Sequence, residues 1–188
     1  VMMRQSPVTG FKFHGKWLLL ALALLAGSMV SAGEPVYPKL PQPGPLVILP
    51  MGQAVTISGL TIKGAKPEAQ RTTVTLTWDK DALTVVFDCT DAAITGEWAT
   101  ERDVNKTWKD DSVGLLLDTG HRHKMGKNLV VIKLSVAGGL LDARGGDMSF
   151  NFPGITSRIT RQATGWQGTV RVPWEGFGGP PKAGDLWG

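Results

Sequence analysis

An all-β fold, an antiparallel β-sandwich of the jelly-roll kind, is predicted by three features of this chain. Twelve Pro and 24 Gly among 188 residues favour short strands broken by turns over long helices. Thr73-Val74-Thr75-Leu76-Thr77-Trp78 alternates polar and apolar residues, the pattern of a strand with one buried face. After residue 33, no segment of useful length repeats its apolar residues at helical spacing.

The chain divides into three parts. Residues 1–32 read as a secretory signal peptide: Arg4, Lys12 and Lys16, then the apolar run Trp17–Ala26, then Val30-Ser31-Ala32 as a peptidase site before Gly33. The apolar run is short for a bilayer span. The expected location is therefore secreted, periplasmic or at the cell surface, with no membrane contact beyond this segment. Residues 33–45 hold five Pro and form an expected linker. Residues 46–188 form the expected globular domain.

Within that domain, Val55-Thr56-Ile57 is a short strand. Thr73–Trp78 and Leu83–Thr90 form a hairpin across Asp79-Lys80-Asp81. Cys89, the one cysteine, shares a face with Val85 and Phe87 and reads as a buried small apolar residue. Val113–Asp118 and Leu129–Val136 are nearly continuous apolar runs, as for central strands covered on both faces. The Gly-rich stretch Gly138–Asp147 lacks the residues of a phosphate loop and reads as a wide hairpin connection. Ser157–Ala163 and Trp166–Val172 form a second hairpin, with Trp166, Val170 and Val172 inward. A turn is expected at Pro173–Phe177. Gly184–Gly188 reads as the opening of a strand, so the sandwich is expected to be missing its last strands.

Charge narrows the partners. The formal net charge is +4, but three of the 20 basic residues and none of the 16 acids lie before residue 33. The remaining 17 basic and 16 acidic residues nearly balance, which leaves no electrostatic footprint for nucleic acid.

Several blocks then recur in a familiar order. Trp78-Asp79 stands at a hairpin turn, with Asp88 and Asp91 at the hairpin's end. Trp108-Lys109-Asp110-Asp111-Ser112-Val113 leads into Leu115-Leu116-Leu117-Asp118. Gly165-Trp166, Val172-Pro173-Trp174 and Gly184 follow. Together these blocks resemble the family 9 carbohydrate-binding module. The resemblance implies a β-sandwich that binds polysaccharide or oligosaccharide of plant type, in some members beside a catalytic domain. It also implies two Trp rings sandwiching a sugar and structural calcium ions. Trp108 matches one stacking Trp, and the other would fall beyond Gly188. Asp111 matches the family's Asp of Asp-Ser-Val. Lys133 and Ser135 fall near an Arg and an Asn that hydrogen-bond the sugar, and Gly114 stands where the family has Glu.

The residues carry their own reading. Trp108 lies in a polar stretch where core burial explains it poorly, and an indole offers a broad face to the C–H side of a pyranose. Trp98, in the same loop, is a second candidate platform. Trp78, Trp166 and Trp174 sit on apolar stripes or at strand ends and read as core. Asp88 and Asp91 are the candidate calcium ligands, against the alternative of solvated turn acids. His121 and His123 keep a haem-binding or purely structural sandwich open as an alternative. No catalytic residue is assigned: glycoside cleavage needs two opposed carboxylates, and Asp110 and Asp111 are adjacent, pointing to opposite faces of a strand. An enzyme hydrolysing O-glycosyl bonds would need a catalytic region beyond Gly188.

Overall fold

The computed structural model describes residues 2–4, 46–61, 71–121 and 127–188. The linker, nearly all of the signal segment and His123 lie outside the described residues. The strands in chain order are β1 (Met2–Arg4), β2 (Leu46–Ile48), β3 (Val55–Thr61), β4 (Arg71–Trp78), β5 (Ala82–Thr90), β6 (Ser112–Asp118), β7 (Leu129–Ser135), β8 (Leu140–Arg144), β9 (Thr156–Gln162), β10 (Gly165–Pro173) and β11 (Leu186–Trp187). The described residues contain 3-10 turns at Thr107–Lys109 and Trp174–Phe177 and no α-helix.

The strands form a five-stranded sheet in the order β3-β4-β5-β10-β9, a three-stranded sheet β6-β7-β8, and a small sheet β11-β1-β2. All pairings are antiparallel except β1 with β11. Alternation explains the five-stranded sheet. Val74, Leu76 and Trp78 on β4, Val85, Phe87 and Cys89 on β5, and Trp166, Val170 and Val172 on β10 are buried on its inner face. Across from them, Val130, Ile132 and Leu134 of β7 complete one core between the two sheets. Contact there is close: a Cβ on Gly168 would lie 3.0 Å from Leu134 Cδ2, so a larger residue would have to push that side chain aside.

One end of the core is closed by aromatic rings. Trp174 packs edge-on to Trp78 and to Trp187, each at 5.9 Å between centroids. The indole nitrogens of Trp78 and Trp174 donate to the carbonyls of Leu49 and Asp79, both at 2.8 Å. Asp79 Oδ1 in turn accepts from the amides of Asp81 and Ala82, which fixes the β4–β5 turn.

Two expectations are corrected. The Gly-rich stretch is not one wide connection: Leu140–Arg144 is a strand, with tight turns at Gly138-Gly139 and Gly145-Gly146 around it. β6 and β7 are not covered on both faces among the described residues. Leu116 is 53 % exposed, and an open groove of about 360 Å³ runs over Val131, Leu141, Ala143 and Met148 on the outer face. The apolar run of β6 that reads as a central strand belongs to an edge strand of this sheet.

Candidate functional site

Residues 91–111 cross from β5 in one sheet to β6 in the other, and this crossover carries Trp98 and Trp108. A segment of this length without regular structure must place its backbone amides somewhere. Two adjacent acids collect them. Asp110, only 1 % exposed, accepts from the amides of Glu97 and Trp98 through Oδ1 at 3.0 and 3.1 Å, and from Ala99 through Oδ2 at 2.8 Å. The Ser135 hydroxyl adds a fourth donor at 2.7 Å. Burial pushes the Asp110 carboxyl up, but the amides of Ala99, Glu97 and Trp98 and the Ser135 hydroxyl outweigh it, and its pKa lies below the usual aspartate range. Asp111 exchanges bonds with Thr95: its amide donates to the Thr95 carbonyl at 2.7 Å, and Oδ2 accepts from the Thr95 amide at 2.8 Å.

These bonds lay Thr95–Ala99 beside the 3-10 turn Thr107–Lys109. Glycine permits the docking. Gly139 donates its amide to the Ala99 carbonyl at 2.7 Å, and a Cβ there would fall 2.2 Å from that oxygen. The far end of the crossover is tied by Arg102, whose Nη2 bonds both oxygens of the fully buried Asp142 at 2.8 and 3.0 Å. Arg102 Nε also donates to Asn151 Oδ1 at 2.6 Å. Burial raises the Asp142 carboxyl above its ordinary pKa, with the Phe152 amide and Arg102 opposing the shift.

In the 3-10 turn Thr107 points inward, 1 % exposed, so its neighbour Trp108 points out. Trp108 and Trp98 are each 48 % exposed. Between them stands Lys109, its Nζ 4.2 Å from the centroid of the Trp98 ring and 5.3 Å from that of Trp108. Two open indoles and one ammonium therefore form a single surface patch, held from beneath by Asp110.

No protein-family model matches the chain, and no curated protein matches it. Among solved structures it is similar to a family 9 carbohydrate-binding module from Caldicellulosiruptor kristjanssonii in complex with cellotriose, at 13 % identity and a TM-score of 0.47, over 58 % of this chain and 51 % of that one. A structure of such a module from the same organism with glucose gives 14 % identity and a TM-score of 0.45, over 58 % and 52 %. The chain spans about half the length of the structures it matches.

The other site residues named from sequence are placed differently. Asp111 and Ser135 are 1 % and 0 % exposed. Ser135 Oγ donates to Asp110 and accepts from the Ala137 amide at 2.9 Å. The expectation that both would face a ligand is thus corrected: they brace the loop that carries the indoles. Adjacent residues do alternate along a strand, but these two acids precede β6, in a crossover whose amides draw both carboxylates inside. Lys133 stands on the outer face of the three-stranded sheet, in register with Gly114 and Leu141, and lines the apolar groove.

Asp88 and Asp91, named from sequence as calcium ligands, stand in different surroundings. Asp88 is exposed on the outer face of β5, while Asp91 is 3 % exposed and its Oδ1 accepts from the Ala93 amide at 3.0 Å. No group of three or more His, Cys, Asp or Glu able to hold a metal occurs among the described residues.

Sequence reasoning missed Lys109 and the bracing role of Asp110. The available signal for the latter was an acid in a long segment outside the strands, where a carboxylate can satisfy itself on backbone amides. No sequence pattern signalled that Lys109 would bridge the two rings.

Proposed function

We propose that this chain is an extracytoplasmic carbohydrate-recognition module whose ligand stacks on Trp108 and Trp98. The observation that carries this reading is the exposure of both indoles, 48 % each, on one braced crossover. Among the described residues the other indoles are buried, yet these two are held in the open by the bonds of Asp110 and the Thr107–Lys109 turn. A pyranose has an apolar C–H face that complements an indole, while its equatorial hydroxyls remain in water. Stacking needs a ring presented flat and fixed, and the three amides bound to Asp110 supply that fixing for Trp98. Export is supported by the basic, apolar and small-residue succession of residues 1–32. Attachment to a catalytic domain belongs to the same proposal, on the strength of the sequence blocks shared with modules that accompany glycan-degrading enzymes.

The test is affinity electrophoresis and calorimetry of the full chain against neutral and acidic glycans, with Trp108→Ala and Trp98→Ala as paired variants. Each substitution is expected to weaken binding by about 2 kcal/mol, roughly thirtyfold, while leaving the unfolding transition in place. Retention by both variants equal to that of the parent on every glycan removes the indoles from the site.

A further inference from the structure

We propose that the patch selects acidic sugars, its ligand being a uronate-bearing glycan whose carboxylate is taken by Lys109. This rests on the reading of Trp98 and Trp108 as a sugar-stacking surface and adds the ligand's charge class. Lys109 Nζ lies 4.2 Å over the Trp98 ring and 5.3 Å from the Trp108 ring. Among the described residues its ammonium has no carboxylate within 4.0 Å, while Lys80 pairs with Asp81 and Arg102 with Asp103 and Asp142. The two acids that follow it in sequence are unavailable to it. Asp110 is turned inside onto three amides and a hydroxyl, and Asp111 onto Thr95. Glu97, Glu101, Arg102, Asp103 and Lys106 are also exposed on this crossover, and the Lys109 ammonium is the charge that lies over the two rings.

The chemistry then discriminates. A pyranose lying on an indole carries its C5 substituent at the ring's rim. In a neutral hexose that group is a hydroxymethyl, which gives the ammonium an ordinary hydrogen bond. In a uronate it is a carboxylate, and the bond becomes charge-assisted, shorter and about twice as strong. The rings pin the ammonium by contact with their faces and exclude water from one side of it, so it meets the ligand preorganised. Because the pair stays at the surface, salt screens it.

Calorimetry at neutral pH on the full chain, with trigalacturonate and cellotriose as probes, tests this. In low salt, trigalacturonate is expected to bind about tenfold more tightly than cellotriose, and about 0.5 M NaCl is expected to erase most of that preference. Lys109→Gln is expected to bring the two affinities together, and Lys109→Arg to keep them apart. Equal affinities in the parent, or a preference that survives Lys109→Gln, overturns the inference. So does tighter cellotriose binding by Lys109→Gln, which would mean that the ammonium only covers the ring. In each of these cases Trp108→Ala still weakens binding roughly thirtyfold and the stacking reading stands. Absence of binding to either sugar by the parent overturns both.

Discussion

Tryptophan serves this molecule in two opposite ways. Trp78, Trp166, Trp174 and Trp187 are 9 % exposed or less, while Trp98 and Trp108 are each 48 % exposed. The first group sits where strand alternation or a strand end turns it inward, and it gains its stability from area removed from water. The second group sits on a crossover outside the strands, where the Asp110 carboxylate holds the Trp98 backbone and the 3-10 turn that buries Thr107 puts Trp108 outward. The same side chain therefore stabilises in one place and is left open in the other. Stability and binding should separate along that line.

The largest expected effect is in the core. Trp166 is 1 % exposed, and its indole nitrogen has no hydrogen-bond partner among the described residues, so the ring acts through packing alone. Trp166→Ala should lower unfolding stability by about 3–5 kcal/mol, read from denaturant melts. A loss no larger than that of Trp108→Ala would erase the distinction between the two groups.

Asp110 joins the two regions and should show the next largest effect. Asp110→Ala strands three amides and a hydroxyl, and a loss of about 2–4 kcal/mol is expected, together with greater quenching of tryptophan fluorescence as Trp98 comes loose. The effect depends on pH. The folded pKa of Asp110 is depressed, so its contribution is complete above the unfolded value and is lost as pH falls through the folded one. The stability gap between parent and Asp110→Asn should accordingly narrow on acidification below the ordinary aspartate range. Asp142 runs the other way: its folded pKa is raised, so its charged form is penalised at neutral pH and the penalty eases as pH falls. A gap that widens in acid would show that Asp110 is not the ionised brace described here.

A smaller loss is expected for Gly139→Ala, whose Cβ would meet the Ala99 carbonyl at 2.2 Å. About 1–3 kcal/mol should go as the crossover lifts from the β7–β8 turn, and sugar binding should weaken with it. At the bottom of the scale, Trp108→Ala should change stability by no more than about 0.5 kcal/mol while weakening sugar binding roughly thirtyfold.

The two sheets differ in how much of them can be read from the chain. On the five-stranded sheet the outer face is polar, with Thr75, Thr84, Asp88, Gln167 and Arg171 facing solvent, so a period of two is plain and both hairpins follow from it. On the three-stranded sheet the outer face keeps Leu116, Val131, Leu141 and Ala143, and the period disappears. That loss of contrast is why β6 and β7 read as fully covered and why β8, between two Gly-Gly turns, reads as part of a connection. Trp108 was legible as an exposed ring because its neighbours are polar. Ser135 and Asp111 were not legible as braces, because a buried polar side chain and a ligand-facing one look alike until its partners are known.

What the chain alone determined is everything local. Alternation set the inner faces of β4, β5 and β10, turn residues set the hairpins, and polar flanks set Trp108 outward. What the tertiary structure decided is where remote segments meet: Thr95–Ala99 on Asp110, Gly139 on Ala99, and Lys109 between two rings ten positions apart in sequence. The physical reason is that backbone periodicity is written residue by residue. The pairing of a buried carboxylate with amides is chosen only when the fold has removed water from around both.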